Sequence, residues 1–80
     1  MVEKILLGIQ SEMRKCSHID ELNKIYRHAR IWVRYNYVVS GIDKEYAKEV
    51  NEILKNMRWQ RMKEMGYLVP DKFEGFVWLT

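Results

Sequence analysis

Eighty residues allow one domain at most, and a chain of that size buries only about two thirds of its unfolded surface, so a second domain is excluded. Hydrophobic residues at 48% and charged residues at 31%, with four Gly and one Pro, exclude a disordered or collagen-like chain and predict one that folds alone or on a partner. One cysteine excludes a disulfide-stapled scaffold, and a net charge of +3 is modest for a dedicated nucleic-acid binder.

The spacing of apolar residues is helical rather than alternating, which predicts an all-α body of three helices followed by a short extended aromatic tail. The first helix is expected over residues 2–16, where Val2, Ile5, Leu6, Ile9, Met13 and Cys16 form one stripe, slightly weakened by Gly8. The second is expected over 19–39. Ser17 is placed to cap it, Asp20 and Glu21 stand in its first turn, and Leu22, Ile25, Tyr26, Ala29, Trp32 and Val33 form its core stripe, extending to Tyr37. Ser40-Gly41-Ile42-Asp43 breaks the pattern and restarts it. The third helix is expected over 44–65, with Tyr46, Ala47, Val50, Ile53, Leu54 and Met57 inward and Gly66 as its stop.

Past Met57 the inward sector of the third helix holds Gln60, Arg61 and Glu64, while Trp59, Met62 and Met65 move to other faces. Two readings follow. The tail, residues 67–80, carries Phe76 and Trp78 and folds back over Trp59 and Met62, or these four residues form a homo-oligomer or partner surface.

The basic residues cluster. Lys24, Arg27, Arg30 and Arg34 lie in a stretch without acids, and Lys55, Arg58, Arg61 and Lys63 make another. Arg27, Arg30 and Arg34 fall at i, i+3, i+7 on a face away from the core, with His28, Ile31 and Tyr35 on the neighbouring sector. This combination suits an acidic protein surface or a polyanion. Helix dipoles also favour the order found here, acids first and bases last, so the stretches have a purely structural explanation as well.

Chemistry is expected to be absent. Cys16, His18 and His28 lack the paired short spacing of a structural metal site, and the chain has no second Cys. Ser17, His18 and Asp20 are too close in sequence to meet as nucleophile, base and orienter, and the isolated Gly8, Gly41, Gly66 and Gly75 form no phosphate loop. No enzyme activity and no cofactor are expected. Met1 to Ile9 contains Glu3 and Lys4 and ends at no small-residue cleavage site, and no run approaches the roughly 18 apolar residues of a membrane span, so a cytoplasmic protein is expected.

The segment Met13-Arg14-Lys15-Cys16-Ser17-His18-Ile19-Asp20-Glu21-Leu22 resembles the early part of the small Hha/YmoA haemolysin-expression modulators. Pro70 and the later Val77-Trp78 are similar to the proline and C-terminal Val-Trp of that family. The resemblance covers about ten residues and two tail positions. It implies a cytoplasmic, non-catalytic modulator that docks on a nucleoid-structuring protein and adds positive charge near DNA. Residues 27–37 depart from the family pattern in being longer, more basic and more aromatic, and no acidic docking position carries over.

The sequence thus leads to a small non-enzymatic helical modulator, expected to be a homo-oligomer, that binds a macromolecule, in the first place a protein, through the second-helix face or the Trp59 and tail surface. Regulators and counter-defence proteins of bacteriophages and mobile elements share its size. The alternatives are a nucleic-acid-binding regulator using Arg27, Arg30, Arg34, Lys55, Arg58 and Arg61, and an oligomeric nucleotide binder in which arginines and Tyr35 clamp phosphate and base.

Overall fold

The computed structural model describes residues 2–39, 44–73 and 75–79. Among these residues the protein is all-α: α1 spans Val2–Lys15, α2 spans Ile19–Val33 and continues as a π-helical segment over Arg34–Val39, and α3 spans Lys44–Glu64. A single 3₁₀ turn, Asp71–Phe73, interrupts the tail. The break expected at Ser40-Gly41-Ile42-Asp43 lies outside the described residues, as does the Val2 side chain.

Periodicity placed most of the core correctly. Leu6, Met13 and Cys16 of the first stripe, Leu22, Ala29 and Val33 of the second, and Ala47, Val50, Leu54 and Met57 of the third are buried together. Ile9, Ile25, Tyr26, Trp32, Tyr37, Tyr46 and Ile53 pack half-buried around them. Ile5 is the exception, 39% exposed, and Gln10 is buried near the same stripe in α1. A buried amide has to be hydrogen-bonded. Gln10 meets that requirement on the tail: its Nε2 donates to the Leu79 carbonyl at 2.7 Å and its Oε1 accepts the Leu79 N–H at 2.7 Å.

The helix ends follow capping chemistry with one correction. His18, not Ser17, occupies the N-cap of α2, in extended geometry and without a side-chain cap, and its carbonyl accepts the Leu22 N–H at 3.1 Å. The stop at Gly66 is as expected. Its φ of 96° permits the paired bonds of a Schellman turn, Gly66 N–H to Lys63 O at 3.0 Å and Tyr67 N–H to Met62 O at 2.9 Å.

The π-helical continuation of α2 coincides with a side-chain hydrogen bond to its backbone. Asn36 Nδ2 donates to the Trp32 carbonyl at 2.8 Å, which places a side chain on an acceptor that the regular i to i−4 ladder uses. The widened turn carries Tyr37 into edge-on contact with Trp32 at 5.9 Å and with Tyr46 of α3 at 5.3 Å. That contact joins the end of α2 to the start of α3. At the opposite end Arg58 reaches Asn23, so the two helices run antiparallel.

The tail returns across α1 and the far end of α3. Phe76, Trp78 and Leu79 pack against the core with Met62 and Met65. The Trp78 indole donates to Glu64 Oε2 at 3.0 Å, Arg14 lies 5.3 Å over its ring, and Phe76 meets it edge-on at 5.9 Å. Among the described residues no helix is long and apolar enough to cross a membrane.

Candidate functional site

The face of α2 that turns from the core meets α3 along a groove of about 660 Å³. Its lining on α2 and the first π-helical residue is Asn23, Tyr26, Arg27, Arg30, Ile31 and Arg34, and α3 contributes Asn51 and Arg58. The α2 positions fall at i, i+3, i+4, i+7, i+8 and i+11, a single helical face, and the two α3 positions are i, i+7. The fold therefore joins the arginine row predicted on α2 to one arginine from the second basic stretch.

Arg58 is held in place. Its Nε donates to Asn23 Oδ1 at 2.9 Å, and its guanidinium lies over the rings of Tyr26 at 5.1 Å and Trp59 at 5.5 Å. Arg30 covers the same Tyr26 ring at 5.7 Å. A ring quadrupole supports cations without neutralising them, so these contacts orient the guanidiniums while leaving their charge. Among the described residues no carboxylate lies within ion-pair distance of Arg27, Arg30, Arg34 or Arg58, and the ion pairs that do form are Lys55 with Glu52 at 3.7 Å and Arg61 with Glu64 at 3.2 Å. Ile31 is 47% exposed between Arg30 and Arg34. Asn51 adds a buried Oδ1 that has no hydrogen-bond partner among the described residues.

The remaining candidates sit elsewhere. His28 lines a separate, smaller hollow with Glu12, Lys15, Glu21, Lys24 and Ile25, between α1 and α2. Tyr35 is exposed on the π-helical segment, outside the groove lining. Lys55 faces Glu52. Arg61 is drawn into the fold: Nη2 and Nε donate to the Cys16 carbonyl at 2.6 and 3.3 Å, so it closes the C-terminus of α1. Met62, Phe76 and Trp78 are half-buried against the core, and Trp59 is half-buried beside Arg58.

Sequence reasoning missed Asn23, Tyr26 and Asn51 as site residues. The apolar spacing puts Tyr26 in the core stripe, and it serves both purposes, packing against the core and carrying two guanidiniums. The signal available was polar Asn23 and Asn51 at the margins of two apolar stripes, where a helix pair leaves a groove.

Glu64 titrates below its ordinary value of 4.5. Partial burial raises its carboxyl, but hydrogen bonds from Trp78, Arg61 and Gln60 together with the Arg61 charge outweigh that effect. Among the described residues no cluster of three or more His, Cys, Asp or Glu has the arrangement of a metal site. The chain matches no family model, no curated protein and no solved structure, and the meaning of the groove rests on its own chemistry.

Proposed function

We propose that this protein is a non-enzymatic helical modulator that docks an acidic protein surface in the α2/α3 groove. The observation that carries this reading is the set of four guanidiniums, from two helices, gathered around an exposed isoleucine with no carboxylate of the described residues within ion-pair distance. Cationic rims steer encounter with an acidic partner, and an apolar centre holds it once docked.

Nucleic-acid binding is supported less well. A basic track along α3 needs Arg61, which a backbone carbonyl holds within the fold, and Lys55, which faces Glu52. A nucleotide clamp needs an open ring to stack a base, whereas Tyr26 already carries two guanidiniums and Tyr35 stands apart from the groove.

Affinity capture from nuclease-treated lysate, with parent and Arg27→Ala/Arg30→Ala/Arg34→Ala proteins side by side, tests the reading. Retention of a protein by the parent and its loss from the triple variant are expected. The variant should keep its helical content, because all three side chains are exposed and exposed charges contribute under about 1 kcal/mol each. Release of the captured material by nuclease, or full retention by the variant, refutes it.

A further inference from the structure

The groove has a repeat as well as a charge. Along α2 and the first π-helical residue the arginines stand at i, i+3 and i+7, so Arg27 and Arg34 are about 10 Å apart along the axis at 1.5 Å rise per residue. A second helix laid along α2 presents side chains at the same repeat. Resting on the protein-docking reading proposed above, we infer that the occupant is an acidic amphipathic helix with carboxylates at i, i+4 and i+7 and an apolar side chain at i+3.

Three features support a helical occupant. α2 and α3 run antiparallel, so their shared groove is the place where a bundle accepts another helix. Ile31, exposed in the middle of the arginine row, supplies the apolar contact that an amphipathic helix requires between its charges. Arg58, tethered to Asn23, sets a fourth positive charge on the opposite wall, so the occupant meets cations from two sides.

The chain has an acidic row of its own, Glu45, Glu49 and Glu52, exposed on α3 at i, i+4, i+7. It matches the spacing but not the chemistry. Position i+3 of that row is Lys48, which sets a cation where Ile31 needs an apolar neighbour, and Glu52 is paired with Lys55. A second copy of this chain is therefore a poor occupant, and the partner is a different protein.

The test uses a synthetic helical peptide of about fifteen residues, long enough to populate a helix, with Glu at i, i+4 and i+7 and Leu at i+3. A scrambled peptide of the same composition is the control, and fluorescence anisotropy with the full chain is the readout. The ordered peptide should bind at least about tenfold more tightly than the scramble, with Arg27→Ala/Arg30→Ala/Arg34→Ala abolishing binding and Ile31→Ser speeding dissociation several-fold at unchanged salt dependence. Equal affinity for both peptides overturns the helical occupant and leaves an acidic surface standing. Binding of neither peptide, with arginine-dependent binding of duplex DNA or ATP, overturns the helix and the protein-docking reading together. Arginine-dependent self-association at low salt, measured by sedimentation, overturns the assignment to a different chain.

Discussion

Arg61 offers the sharpest separation of structure from binding, because it carries the same charge as the groove arginines and a different duty. Its side chain is 22% exposed, and two of its nitrogens reach the Cys16 carbonyl, one at 2.6 Å. That carbonyl is one of the acceptors left over at the end of α1. A hydrogen bond from a charged donor contributes about 1.5–3 kcal/mol, and a cation at a helix C-terminus about 0.3–1 kcal/mol more. The partly exposed pair with Glu64 adds at most a fraction of that. Water can reach the freed carbonyl after truncation, so Arg61→Ala should cost about 2–3 kcal/mol, near the lower end of the sum. For a chain of this length the melting temperature should fall by about 10 °C or more. Arg61→Lys keeps the charge but not the fork and should lose about half as much. Urea and thermal denaturation of both variants measure this, with peptide anisotropy run in parallel. A stability change under about 0.5 kcal/mol, or lost binding at unchanged stability, refutes the capping role and returns Arg61 to the binding surface.

Gln10→Ala removes both hydrogen bonds to Leu79 and should cost about 1–3 kcal/mol, with faster hydrogen exchange of the Trp78 indole by NMR; exchange as slow as in the parent refutes the tail clamp. The depressed Glu64 carboxyl contributes stability that is complete above its ordinary value of 4.5 and is lost as pH falls through its lower folded value. Urea midpoints of the parent should therefore converge on those of Glu64→Gln on acidification, and parallel curves refute the assignment. Cys16 is 1% exposed with its thiol against the Met13 carbonyl, so labelling by a thiol reagent should track the unfolded fraction in urea; labelling in native buffer at the rate of a free thiol refutes its burial.

The helices were legible because burial on each of them has a period that needs no knowledge of the partner. Leu22, Ala29 and Val33, or Val50, Leu54 and Met57, declare an inward face whatever they pack against. What depends on distant residues was not legible. Gln10 reads as a polar residue among apolar neighbours until Leu79, 69 positions away, supplies both of its partners. Ser17 has the better capping side chain, yet the chain enters α2 through His18 in extended geometry. The arginine face predicted from 100° per residue is recovered in the groove because Arg34 is the first residue of the π-helical segment. One residue further, Tyr35 stands outside it.

The third helix explains why two kinds of arginine arise from one basic stretch. Its inward sector is apolar through Met57 and then carries Arg61 and Glu64, which on sequence alone looks like the end of the core. The structure gives that sector new neighbours. Beyond Met57, α3 passes the C-terminus of α1, where the surface to be met is a backbone carbonyl and a returning indole rather than an apolar stripe. An arginine and a glutamate are the side chains that satisfy those groups, donating to Cys16 and accepting from Trp78. Arg58 lies one turn earlier and faces α2, where Asn23 takes a single nitrogen of its guanidinium. The positive charge spent on the fold thus has its acceptors within the chain. In the groove, like charges repel one another with no carboxylate beside them among the described residues, an arrangement that weakens the free protein and that an acidic partner relieves.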